Sequence, residues 1–117
     1  MKFKLVVPTN DKINLFENFE ASEYFKVITV VSGKITEETF VKNDFKKNNK
    51  SEFVTNFCDN ITDCNYILSG GCNDEIKLYM KERKKIIIPT SEKIMSNAVY
   101  GFIEEISRKD SDTCCCP

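Results

Sequence analysis

At 117 residues the chain has the length of one domain, since domains commonly run to about 100–150 residues, and two would not fit. Hydrophobic residues at 41% and charged residues at 30% exclude a disordered chain, and no apolar run is long enough to cross a bilayer. The 17 basic and 18 acidic residues leave a formal charge of -1, which supplies no broad positive field and argues against nucleic acid as a main partner.

Residues 2–7 alternate Phe3, Leu5 and Val7 with lysines before becoming apolar, then stop at Pro8-Thr9-Asn10-Asp11. That pattern is a strand followed by a turn. The turn comes too soon for a secretory apolar stretch, so the expected location is the cytoplasm. Residues 12–24 have no clean period but carry Phe16, Phe19 and Tyr24, the mark of a structured loop. Residues 25–31 are β-branched and aromatic, Ser32-Gly33 is a two-residue hairpin signal, and residues 34–42 alternate. Residues 43–50 form a polar bridge. Ser51 is the expected cap of a first helix, whose Phe53, Val54, Phe57, Cys58 and Ile61 fall at helical spacing.

Residues 65–69 are a short apolar strand ending in Gly70-Gly71, and Asn73-Asp74-Glu75 opens a second helix with a cap and two acids that suit its dipole. Ile76, Tyr79 and Met80 line that helix, which Arg83-Lys84-Lys85 closes before a buried-type strand at 86–88, stopped by Pro89. Thr90 or Ser91 is the expected cap of the last helix. Its Ile94, Met95, Ala98, Val99, Phe102, Ile103 and Ile106 recur on one stripe, and Arg108 and Lys109 suit its negative end. The expected organisation is one α/β domain over residues 1–109 and a flexible cysteine-rich tail over 110–117. A hairpin-linked meander followed by right-handed crossovers predicts a five-stranded mixed sheet, order 3-2-1-4-5, with only the second strand antiparallel and helices on both faces.

Six cysteines without an export signal imply thiols that stay free, bind metal or do redox work. The chain has no histidine, which removes the commonest general base and mixed Cys/His zinc sites. Any metal must use thiolates and oxygens.

Several stretches together resemble the dinitrogenase iron-molybdenum cofactor biosynthesis and binding proteins of the NifX and NifY type. They are the Met-Lys strand into Pro8-Thr9-Asn10-Asp11, Asn18-Phe19 with Tyr24-Phe25, the Ser32-Gly33 hairpin, the strand into Gly70-Gly71, and a last strand leading to a long helix. In that family the loop reads His-Phe-Gly-Arg-Ala-Pro-Tyr-Phe. Here Asn18 stands in the histidine position, Glu20 and Ala21 replace the Gly-Arg pair, and Cys72 follows the double glycine where an apolar residue or glycine is usual. The resemblance implies a ribonuclease H-like motif. It also implies non-catalytic binding, carriage or storage of an iron-sulfur or iron-molybdenum-type cluster or precursor, exchanged with a cofactor-assembly or acceptor protein.

Ligands of open α/β sheets sit beyond the carboxyl ends of the parallel strands, where the strand order reverses. That edge collects Thr9, Asn10, Asn18, Phe19, Gly70, Gly71, Cys72 and Thr90 as candidate cofactor-binding residues. The glycines would let backbone approach a ligand, and the start of the second helix should lower the Cys72 thiol pKa and favour an anion. The alternative for Cys72 is a turn-filling thiol. Cys114, Cys115 and Cys116 are further soft-metal candidates, against a tail with no role. A prenylation signal is poorly matched. At about 1.5 Å per residue the last helix should deliver this tail to the opposite edge, near Cys58 and Cys64. Cys64 is thus a further metal candidate, and Cys58 reads as a structural thiol.

Enzyme readings are weaker. Asp11, Glu17, Glu20 and Glu23 lie on a loop, whereas metal-dependent nucleases need acids converging from the strands. Gly70-Gly71 lacks the spacing and lysine of a phosphate loop. Lys46-Lys47 and Arg83-Lys84-Lys85 read as solvated charges. The alternatives to cluster carriage are a protein-interaction module of the same fold without a cluster, and a soft-metal or thiol redox role for the tail. The expected state is a monomer or weak homo-oligomer.

Overall fold

The computed structural model describes residues 2–44, 49–61 and 64–114, the last eight by backbone alone. Cys115 and Cys116 lie outside the described residues, as do Lys46 and Lys47. The elements in chain order are β1 (Lys2–Thr9), β2 (Tyr24–Val31), β3 (Lys34–Lys42), α1 (Lys50–Asn60), β4 (Cys64–Ser69), α2 (Asp74–Glu82), β5 (Ile86–Pro89) and α3 (Met95–Cys114).

They form one sheet of order β3-β2-β1-β4-β5. β2 is antiparallel to both of its neighbours, while β1–β4 and β4–β5 are parallel. This is the expected order and direction. The hairpin works because Ser32 and Gly33 both take positive φ, 52° and 79°, the left-handed pair whose twist matches the flanking strands. β1 is the central strand, and Leu5, Val6 and Val7 are fully buried. A strand covered on both faces reads as a continuous apolar run instead of an alternation.

The two faces carry different cores. Leu5, Val7, Ile28, Val30 and Leu68 pack under Met95, Ala98, Val99, Phe102 and Ile103 of α3. On the other face Val6, Phe25 and Ile67 pack under Phe53, Val54 and Phe57 of α1 and Ile76 and Met80 of α2. There Phe19, Phe25, Phe53 and Phe57 make a mutual ring cluster, with Phe19 5.2 Å from Phe25 and 5.4 Å from Phe57. Such pairs contribute about 0.5–1.5 kcal/mol each beyond area burial.

Three helix ends differ from the sequence reading. Asn49, not Ser51, caps α1: its Oδ1 accepts the Glu52 N–H at 2.8 Å and its Nδ2 donates to Glu52 Oε1 at 2.9 Å, a reciprocal cap with the acid three residues on. α3 begins at Met95 instead of after Thr90 or Ser91. The intervening segment pairs with the 12–24 loop: Leu15 N–H donates to Lys93 O at 2.8 Å and Met95 N–H to Ile13 O at 3.2 Å. At its far end α3 continues past Lys109 to Cys114, because no glycine or proline stands between Phe102 and Cys116. Among the described residues no helix is long and apolar enough to cross a membrane.

Candidate functional site

The carboxyl ends of β1, β4 and β5 meet the loop over residues 10–23. That loop has one hydrophobic foot in each core, Leu15 on the α3 side and Phe19 on the α1/α2 side. Its polar groups are mostly spent on holding its own shape. Thr9, fully buried, donates from Oγ1 to Asn14 O at 2.6 Å and accepts the Lys12 N–H at 3.0 Å. Asn10 Oδ1 accepts the Glu23 N–H at 2.8 Å. Asp11 accepts the N–H groups of Ile13 and Asn14 at 2.9 and 2.7 Å, and these backbone hydrogen bonds hold its carboxyl down to a pKa of about 2. Buried Asn43 donates to Ser22 O at 2.7 Å and to Glu20 O at 3.2 Å, fixing the loop's second half.

Gly70 and Gly71 serve this loop first. A Cβ on Gly70 would stand 3.1 Å from Glu17 Cα, and one on Gly71 would stand 2.9 Å from Glu17 O. The Gly71 carbonyl accepts the Phe19 N–H at 3.0 Å, and the Gly71 N–H donates to Ser69 Oγ at 3.1 Å. The Gly71 amide is therefore engaged within the turn and not free for an anion.

Three hollows surround Gly70. One of about 510 Å³ lies between the 14–17 loop and residues 90–93, and Thr90 lines it. A second, of about 410 Å³, is bounded by Glu17, Asn18, Glu20, Gly70, Gly71 and Cys72. The third, about 420 Å³, runs between α2 and β5 over Ile86, Ile87 and Pro89, with Lys77, Lys81 and Lys85 on its wall and Cys72 at its end. These volumes fall in the range of small-ligand clefts. Cys72 borders both the second and the third.

The structure brings Asn18, Gly70, Gly71 and Cys72 together as candidate binding residues. It separates Phe19, which is wholly buried among rings, and Thr9 and Asn10, whose side chains are committed to the loop. The Cys72 thiol is pushed up to about 12, the reverse of the lowering expected from the helix start. Half-burial is the main cause, the Glu20 carboxylate adds to it, and Lys77 only partly offsets them. One oxygen of Glu20 is buried without a hydrogen-bond partner.

Cys64 lies at the amino end of β4, 2% exposed, its thiol donating to Tyr66 O at 3.4 Å and pushed up to about 12 by burial. Cys58 is half-buried, and burial raises its pKa too. α3 has already reached Phe3 and Tyr66 at Phe102, with ring centroids 6.0 and 5.1 Å apart, so its later turns lead Cys114 away from Cys72. Among the described residues no three cysteine or acidic side chains converge on a point. Sequence reasoning missed Glu20 as a neighbour of Cys72, which only the fold reveals. It also missed the lysine wall, although the i,i+4 spacing of Lys77 and Lys81 on the helix that follows Cys72 was visible in the sequence.

No protein-family model matches the chain, and no curated protein matches it in sequence. Solved structures do match. The crystal structure of PH0822 aligns with a TM-score of 0.77 at 15% identity, over 88% of this chain and 92% of that one. A Methanocaldococcus jannaschii protein named "putative dinitrogenase" gives 0.66 at 20% identity, over 90% and 91%. A Thermotoga protein named "putative NifB protein", of the DUF35 family, gives 0.68 at 15% identity, over 87% and 88%. At these identities the likeness is one of fold, and two of the structures that share it are named for dinitrogenase and NifB.

Proposed function

We propose that the protein binds and carries, without catalysing a reaction, an iron-sulfur or iron-molybdenum-type cluster or a precursor, attached through Cys72 at the carboxyl edge of the sheet. The observation that carries this reading is the position of Cys72: a thiol between two hollows at the ligand edge, in a fold shared with proteins named for dinitrogenase and NifB. A thiolate selects soft metals. With no three-ligand group among the described residues, a bare ion would be poorly held. A preassembled cluster brings its own sulfides and needs one anchor, and Lys77 and Lys81 offer charge opposite to its own.

Docking must displace the Cys72 proton, so affinity rises with pH below about 12. Asn18 lies beside Cys72 on the rim of the second hollow. Cys114, Cys115 and Cys116 would offer separate soft-metal ligands from the tail of a single domain over residues 1–109. A cofactor-assembly or acceptor protein, met in the cytoplasm, would give or receive the cluster.

Reconstitution with iron and sulfide under exclusion of oxygen tests this. The expected product is coloured, with sulfur-to-iron charge-transfer absorption that Cys72→Ser removes. Triple replacement of Cys114, Cys115 and Cys116 by serine measures the tail's share. A colourless, iron-free product overturns the reading. Steady capture of one metal-free partner would instead support the interaction module, which the asparagine at position 18 and the protonated Cys72 thiol favour.

A further inference from the structure

The sheet ends in two edge strands of different character. β5 has four residues and finishes in Pro89, which has no N–H to offer. β3 has nine residues, most of them exposed. Asn43 N–H donates to Glu23 O at 2.9 Å, and β3 then pairs Val41 with Phe25 and Thr39 with Val27. Backbone groups of an antiparallel strand alternate in direction. Hence Asn43, Val41 and Thr39 bond inward to β2, while Glu38, Phe40 and Lys42 direct N–H and C=O outward.

Phe40 is 41% exposed and lies under Lys12 and Lys26, at 5.3 and 5.6 Å from its ring centre. Glu38 pairs with Lys26 at 2.9 Å. Mixed charges on an edge strand usually block pairing. These charges permit it in one register. A second antiparallel copy must set outward residues against outward residues, so a two-fold axis falls on a residue and never between two. An axis at Glu38 opposes Glu38 to itself and Lys34 to Lys42, which repels. An axis at Thr39 pairs Glu38 with Phe40 and Glu37 with Val41, gaining no ion pair. An axis at Phe40 stacks Phe40 on its copy, sets Thr39 against Val41, and places Glu38 opposite Lys42 twice.

We propose that a second copy of this chain pairs antiparallel along β3 with its two-fold axis at Phe40, joining two five-stranded sheets into one. Glu38 then sits between Lys26 of its own chain and Lys42 of the other copy. The outward N–H and C=O groups of Glu38 and Phe40 and the N–H of Lys42 become bonded, and the Lys42 carbonyl, which already accepts the Asp44 N–H at 3.1 Å, takes a second donor. β4, which leads to Cys72, is three strands away from β3, so both carboxyl edges stay open and the dimer is independent of cluster carriage.

Sedimentation analysis of the full chain from micromolar to millimolar concentration tests the proposal, with amide hydrogen exchange as a second measurement. The wild type is expected to dimerise and to protect the amides of Glu38, Phe40 and Lys42 as concentration rises. Phe40→Pro removes an outward N–H, which an edge strand tolerates, together with the ring at the axis, and should yield a folded monomer with an unchanged circular dichroism spectrum. Lys42→Glu, which opposes two glutamate pairs, should raise the dissociation constant about tenfold, and the Glu38→Lys/Lys42→Glu swap should recover part of that loss, the remainder going to the new lysine beside Lys26. A wild type that stays monomeric throughout, or a dimer indifferent to Phe40→Pro or to the charge reversal, overturns the proposal.

Discussion

The two edges of the sheet are reached by the same central strands and yet are closed differently. At the amino edge Cys64 is sealed, its carbonyl capped by Lys85 Nζ at 2.7 Å, while Lys4 N–H is held by Asn65 Oδ1 at 3.0 Å. At the carboxyl edge a fourteen-residue loop (10–23) folds back on itself and leaves Cys72 half-buried between hollows. Burial raises both thiols to about 12. The perturbed acidity therefore does not tell a ligand from a core thiol, and access does.

The largest way to break this contrast is to remove the loop's aromatic foot. Phe19 is wholly buried against three other phenylalanine rings, and Phe→Ala in such a setting costs about 3–5 kcal/mol. Phe19→Ala should lower the urea midpoint accordingly and expose the carboxyl edge first, seen as faster exchange of the Gly71 and Cys72 amides than of those in β1. A loss below about 1 kcal/mol, where surface substitutions usually fall, would mean that the loop does not depend on that foot.

A smaller test uses one substitution at two glycines. At Gly71 an added methyl meets the Glu17 carbonyl at 2.9 Å, backbone that cannot swing away, and overpacking of this kind costs about 1–3 kcal/mol. At Gly101 in α3 an added methyl meets nothing within 4 Å, and Gly→Ala in a helix gains about 0.5–1 kcal/mol. Thermal melts of Gly71→Ala and Gly101→Ala should therefore move in opposite directions. Equal shifts would deny that the double glycine is set by contact with the loop.

The strand order was legible because it rests on local signals: the Ser32-Gly33 turn, the apolar runs of β1 and β4, and the Asn73 cap, which does accept the Glu75 N–H at 2.9 Å. The α1 cap was misread although its signal was present, since Asn49 has Glu52 three residues on whereas Ser51 has Val54. What could not be read was set by distant partners. Thr9 and Asn10 suited a ligand by residue type, but the loop consumed them. The start of α3 was delayed by a pairing across about eighty residues, between Ile13 and Met95. The acidity of Cys72 was misjudged because the helix start was visible in sequence, while the burial and the Glu20 carboxylate that outweigh it were not.

The smallest effect concerns pH. Both thiols ionise near 9 in the unfolded chain and near 12 when folded, so between those values the unfolded state has lost protons that the native state keeps. Stability is then complete below about pH 9 and declines as pH rises towards 12. Cys64→Ala and Cys72→Ser should each flatten that decline between pH 9 and 11, as read from urea midpoints. Thiol labelling sharpens the contrast at a single pH. At pH 8 an aromatic disulfide reagent should modify Cys72 slowly in the native protein, since reach is available but thiolate is scarce, and should modify Cys64 only on unfolding. Equal native rates for the two would mean that the amino edge opens as readily as the carboxyl edge, and access could no longer be what distinguishes the two thiols.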